Sequence, residues 1–160
     1  MAIKAIPDGY QTATPYLIIA GAAAAIDFYK RAFGATEMMR MVDPNGRIGH
    51  AEIRIGDSVI MLAYEHPEMG YRSPRSLGGS SVSILLYLAD VDAVFARAVA
   101  AGARAQRPVI DQFYGDRSGT LEDPFGHVWT VATHVEDVPA EEIQRRAEEA
   151  MRSPARPAAS

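Results

Sequence analysis

The sequence predicts an α+β fold built from two βαβββ modules and closed by a terminal helix. Three observations predict it. A unit of strand, helix and three strands at residues 14–64 recurs at residues 83–134, roughly 69 positions later. The two helices end on matching small-residue signals, Phe33-Gly34-Ala35 and Ala101-Gly102-Ala103. A polar stretch bearing Pro, Gly and Ser, residues 65–81, separates the copies. A half-length unit made twice builds one fold with an internal pseudo-two-fold axis, and the space between its halves is a natural pocket. The expected division is a single domain over residues 1–138, with module one at 12–64, the linker at 65–81 and module two at 82–134. A terminal helix at 139–151 and a disordered tail at 152–160 follow.

The elements follow in order. Residues 1–12 are a lead-in with a Pro7-Asp8-Gly9 turn. Pro15 to Ile19 reads as a strand. A helix opens at Gly21-Ala22 and runs to Phe33, with Ile26, Tyr29 and Phe33 on one face and Gly34 placed as a left-handed cap. Strands follow at Thr36 to Val42, Arg47 to Ile55 and Ser58 to Tyr64, joined by the turns Asp43-Pro44-Asn45-Gly46 and Gly56-Asp57. Module two repeats the scheme with a strand at Val82 to Leu88. Asp90 caps a helix whose buried face carries Val91, Val94, Phe95 and Ala98. The remaining strands are read at Val109 to Phe113, Gly115 to Glu122 and His127 to His134, with Asp123-Pro124-Phe125-Gly126 as the last turn. Pro139 sits at the first turn of the terminal helix.

Composition narrows the function classes. The chain has 160 residues, a net charge of -4 and no cysteine. The charge balance and the lack of a basic block give no support to nucleic-acid or anionic-membrane binding. Without cysteine there is no disulfide, thiolate catalysis or cysteine-based metal site, and the usage fits a reducing compartment. No apolar run is long enough to span a bilayer and no secretory leader is visible. The expected location is the cytoplasm.

The order βαβββ twice, with Ile26-Asp27-Phe28-Tyr29, Gly56-Asp57-Ser58-Val59-Ile60-Met61 and Asp123-Pro124-Phe125-Gly126-His127 at their spacing, resembles the vicinal oxygen chelate superfamily. Its members include glyoxalase I, bleomycin-resistance proteins and extradiol dioxygenases. Tyr114-Gly115-Asp116-Arg117, Val128-Trp129 and Thr133-His134-Val135-Glu136-Asp137 resemble the PhnB-like branch more narrowly. The resemblance covers residues 12–138 and implies the glyoxalase/bleomycin-resistance fold, a curved mixed sheet around a concave pocket. It also implies a homodimer.

Strand side chains alternate between faces, so parity assigns the pocket. The concave face includes Thr14, Tyr16, Ile18, His50, Glu52, Arg54, Val59, Met61, Ala63, Ser83, Leu85, Tyr87 and Thr130, with Trp129 on the opposite, helix-facing side. The resemblance places metal ligands at four of these positions, which are Thr14, Met61, Ser83 and Thr130 here. Hydroxyls and a thioether are poor ligands for a hard or borderline divalent ion. No cofactor is therefore expected, and a divalent metal is disfavoured. His50 and Glu52, two apart on one strand face, fit either a functional pair or a solvated polar face. Arg117, beside Tyr114, fits either an anchor for a polar ligand group or a surface ion pair. Tyr16 and Tyr87 are read as matching positions of the two copies. Met38, Met39 and Met41 are read as core by default. The expected function is a metal-free binder of a small organic molecule, of the bleomycin-resistance type. The alternative is an enzyme, either a glyoxalase-like metal-dependent lyase or dioxygenase, or one using His50, Glu52 or Arg117 as its catalytic groups.

Overall fold

The computed structural model describes residues 3–152; of the tail expected at 152–160, Arg152 instead ends the terminal helix and residues 153–160 lie outside the described residues. Module one comprises β1 (Tyr16–Ile18), α1 (Ala22–Phe33), β2 (Thr36–Val42), β3 (Ile48–Ile55) and β4 (Ser58–Ala63). A short helix α2 (Pro74–Leu77) lies in the linker. Module two comprises β5 (Ser83–Tyr87), α3 (Val91–Ala100), β6 (Arg104–Asp111), β7 (Asp116–Glu122) and β8 (Val128–His134), and α4 (Ala140–Arg152) follows. The strand orders are β1-β4-β3-β2 and β5-β8-β7-β6. Each sheet is mixed: β1 runs parallel to β4 and β5 parallel to β8, and the other pairs are antiparallel. The same order twice is the structural form of the sequence repeat.

Local chemistry sets the element ends. Gly34 closes α1 at φ 68°, a left-handed conformation that costs glycine nothing. The Asp90 carboxylate accepts the Ala93 N–H at 3.0 Å and caps α3. One strand differs from the expectation. β6 begins at Arg104, five residues before the reading at Val109, and ends at Asp111. Its first half carries Arg104, Gln106 and Arg107, and Arg104 pairs with Glu122 across the ladder at 2.9 Å. That charged pattern hides an edge strand, and Pro108 coincides with its register shifts. Gln112 to Gly115 form a turn instead. A Cβ on Gly115 would lie 2.1 Å from the Glu136 carbonyl oxygen, so only glycine lets residues 135–136 pack there. The linker is more ordered than its composition suggests, because the Glu65 carboxylate accepts from Ser73 N at 2.9 Å and Ser76 Oγ at 2.7 Å.

The core lies between the helices and the sheets, and it crosses the module boundary. Tyr29 and Phe33 of α1 pack on Trp129 of β8, with centroids 5.1 and 4.9 Å apart. Tyr29 Oη donates to Asp123 at 2.6 Å and Trp129 Nε1 donates to the same oxygen at 2.9 Å. Burial, reinforced by that carboxylate, pushes the Tyr29 phenol well above its ordinary range. Trp129 is fully buried on the helix side, as strand parity requires. Met38, Met39 and Met41 are not core: they are 39–58% exposed on the edge strand β2.

Candidate functional site

On the faces turned away from the helices, Tyr16, His50 and Glu52 belong to one hydrogen-bonded group and Tyr87 to a second. The first group belongs to module one. Tyr16 Oη lies 2.8 Å from His50 Nδ1, and His50 Nε2 lies 3.1 Å from Glu52 Oε1. Tyr10 Oη donates to the other Glu52 oxygen. Glu52 is 6% exposed, whereas Tyr16 is 48% exposed. These hydrogen bonds, led by that from Tyr10, hold the Glu52 carboxyl below its usual range. Burial raises the Tyr16 phenol, with Tyr71 and Glu52 adding to the effect. The sequence pattern contained no signal for Tyr10. It reaches Glu52 because the lead-in folds back over β3, where Arg54 also donates to the Gly9 carbonyl at 3.4 Å.

The second group belongs to module two. Tyr87 Oη donates to Asp116 at 2.8 Å, and His134 lies between Asp116 (2.8 Å) and Asp137 (2.9 Å). The two carboxylates, Asp116 first, raise the His134 pKa. Tyr87, Tyr114, His134 and Ile143 of α4 line a cavity of about 500 Å³. Asp116 and His134 are therefore site residues that the candidate set lacked.

Between the modules lies a larger cavity of about 900 Å³. Thr14, with Tyr16 and Ile18 of β1, lines it from one side, and Ser83 and Leu85 of β5 from the other. Arg72 also lines it. Arg72 has no ion-pair partner among the described residues.

Two readings are corrected. Arg117 is not in either group. It sits on the helix side of β7, where Nε and Nη2 each reach Asp92 at 2.8 Å and Nη1 reaches Asp111 at 3.1 Å. Its odd position puts it on the face shared with Leu121, so strand parity itself removes it from the concave set. Tyr16 and Tyr87 do not match. Tyr16 is in register with Met61, and the residue in register with Thr130 is Leu85. Tyr87 stands two steps further along, opposite Ala132.

The four positions where the resemblance puts a metal fit none. Thr14 and Ser83 line the inter-module cavity. Met61 is in register with Glu52, and Thr130 Oγ1 is hydrogen-bonded to Thr120 Oγ1 at 3.1 Å. Among the described residues no three His, Asp or Glu side chains converge as a metal-holding group. His50 and Glu52 bond each other rather than pointing at a common vacant position.

A repeated βαβββ fold with cavities on its sheet faces defines the class: a two-module α+β protein of the glyoxalase/bleomycin-resistance type. The chain belongs to the Glyoxalase/Bleomycin resistance protein/Dioxygenase superfamily, whose sequence model matches residues 12–131. It is 46% identical over 134 residues to an uncharacterized protein of Mycobacterium tuberculosis, covering 82% of this chain and 79% of the relative. Its fold is similar to a gene product of Arabidopsis thaliana (TM-score 0.62, 28% identity, 77% of this chain and 98% of that one). It is also similar to TioX from Micromonospora sp. ML1 (TM-score 0.60, 25% identity, 81% and 100%). The PhnB protein of Bacillus cereus and the manganese-bound fosfomycin resistance protein of Listeria monocytogenes, 18% and 17% identical, share the fold alone.

Proposed function

We propose that this protein binds a small organic molecule without a metal ion, in the manner of the bleomycin-resistance branch. One observation carries the reading. The inter-module cavity keeps apolar and aromatic walls, Tyr16, Ile18 and Leu85, while Thr14, Met61, Ser83 and Thr130 supply no imidazole or carboxylate at the family's ligand positions. The anion-anchoring role read for Arg117 falls instead to Arg72, a lining residue of the cavity that makes no close ion pair among the described residues and whose charge also reaches the Glu65 carboxylate.

The working unit is a homodimer. Leu85 and Tyr87 of β5 are 46% and 62% exposed, and Ile110 of β6 is 51% exposed. Met41 and Val42 of β2 are 58% and 54% exposed. A second copy of the chain covers these apolar sheet surfaces and completes the cavity walls. No helix is long and apolar enough to cross a membrane among the described residues, and a cysteine-free chain suits the cytoplasm.

A thermal-shift panel of aromatic and anionic small molecules tests the reading, alongside metal analysis of the purified protein. Stabilisation by at least one class, with substoichiometric metal, supports it. Stoichiometric nickel, zinc, manganese or iron overturns it.

A further inference from the structure

Hydrogen-bond polarity in the module-one group is over-determined. Glu52 is a buried carboxylate and can only accept. It takes the Tyr10 hydroxyl on one oxygen and His50 Nε2 on the other. In the neutral imidazole the Glu52 contact therefore places the proton on Nε2. That leaves Nδ1 as an acceptor, 2.8 Å from Tyr16 Oη. The Tyr16 hydroxyl in turn spends its only proton on His50 and presents oxygen lone pairs outward. Tyr16 is the only member of the chain that lines the inter-module cavity. Hydroxyl, imidazole and buried carboxylate in that order form the arrangement that activates nucleophiles and bases in unrelated proteins.

We propose that Tyr16, His50 and Glu52 form a proton relay that accepts a proton from a ligand bearing an acidic O–H, a phenol or an enol, bound in the inter-module cavity. The inference rests on the small-molecule reading above and names the ligand class. The proton balance closes within the site. The ligand's O–H proton passes to Tyr16 Oη as the Tyr16 proton passes to His50 Nδ1. The electron pair of the broken O–H bond stays on the ligand oxygen as an anion, which Arg72, another lining residue of the cavity, stabilises. The imidazolium is held against Glu52. Tyr16 begins as the neutral phenol, its pKa raised from the ordinary value by partial burial. Module two has no such chain: Tyr87 donates straight to Asp116, and His134 is bonded on both nitrogens by carboxylates.

The probes are 3-nitrophenol, a weaker acid than imidazolium whose anion is yellow, and its methyl ether 3-nitroanisole, which has no proton to give. Both are titrated into the full-length protein at a pH above the ordinary histidine value, about 6.5, at which free 3-nitrophenol is still neutral. The expected result is that bound phenol takes the anion's absorbance. Tyr16→Phe and His50→Gln each reduce the ionised fraction by about tenfold or more, the worth of one hydrogen bond to a charged group. Arg72→Gln reduces it as well, and ether binding is unchanged by Tyr16→Phe. Phenol bound without ionisation, or ionised equally by all variants, overturns the relay but leaves the binding reading standing. Binding of neither probe overturns both. Nitrogen NMR of the ligand-free protein gives an independent readout. A His50 tautomer protonated on Nδ1, or an Nδ1 resonance unmoved by Tyr16→Phe, also overturns the relay.

Discussion

Asp123 ties the two modules together, and its replacement makes a quantitative test. The side chain is 3% exposed and accepts four hydrogen bonds. Oδ1 takes the backbone N–H groups of Phe125 and His127, at 2.9 and 3.0 Å, and so shapes the last turn. Oδ2 takes Tyr29 Oη and Trp129 Nε1, both from fully buried side chains. In Asp123→Asn the amide oxygen keeps the turn, and Tyr29 rotates its hydroxyl to accept from the new NH₂. The indole N–H cannot rotate and loses its acceptor. One orphaned buried donor costs about 1–3 kcal/mol. Asp123→Ala orphans both donors and unpins the turn, so its cost is about 2–6 kcal/mol before any turn strain. Tyr29→Phe leaves Asp123 three donors and costs about 1.5–3 kcal/mol, the worth of a bond to a charged group. The assay is equilibrium urea unfolding followed by the fluorescence of Trp129, the single tryptophan. The reasoning fails if Asp123→Ala costs under about 1 kcal/mol, or if Asp123→Asn is the more damaging of the two.

Three further outcomes follow. Arg117→Gln removes the pairs to Asp92 and Asp111, and as a surface network it shifts stability by about 1 kcal/mol or less while leaving ligand binding unchanged; a binding loss measured by calorimetry would return Arg117 to the site. His134 has a raised folded pKa, so its pairing with Asp116 and Asp137 stabilises fully below its ordinary value, near 6.5. That contribution fades as pH rises through the raised value, and Asp116→Asn moves the midpoint of the His134 proton NMR titration downward. Light scattering gives twice the chain mass, and Leu85→Asp shifts it toward one chain; a single-chain mass for the unmodified protein rejects the dimer.

The fold was legible because its signals are local and doubled. Gly34 and Asp90 act at the helix ends as their residue types dictate, and period-two alternation put Glu52 on the opposite face from Ala51 and Ile53. The site was legible only where parity was enough. Parity on β7 was available for Arg117 and goes against it, because Arg117 and the buried Leu121 are four positions apart on one strand and so share a face. Tyr10 and Asp137 were out of reach, since each meets its partner through an irregular segment whose path no periodicity encodes. Asp123 was readable as a turn residue and not as an inter-module acceptor. Its bond to Tyr29 spans 94 positions, and a single sequence carries no trace of that pairing.

The repeat predicts equal modules, and the registers show where they parted. Glu52 is opposite Met61 as Thr120 is opposite Thr130, and Tyr16 is opposite Met61 as Leu85 is opposite Thr130. Two strand steps from Thr120, Ser118 takes the place of His50. Every member of the module-one chain therefore has a smaller or apolar counterpart in module two. A pseudo-symmetric cavity with equal walls would accept a ligand in two orientations of equal energy. Here β1 presents the Tyr16 hydroxyl where β5 presents Leu85, so a ligand with one polar end is expected to enter one way. The cost of reversal is the desolvation of that polar end against Leu85, about 1–3 kcal/mol, or roughly tenfold to a hundredfold in population.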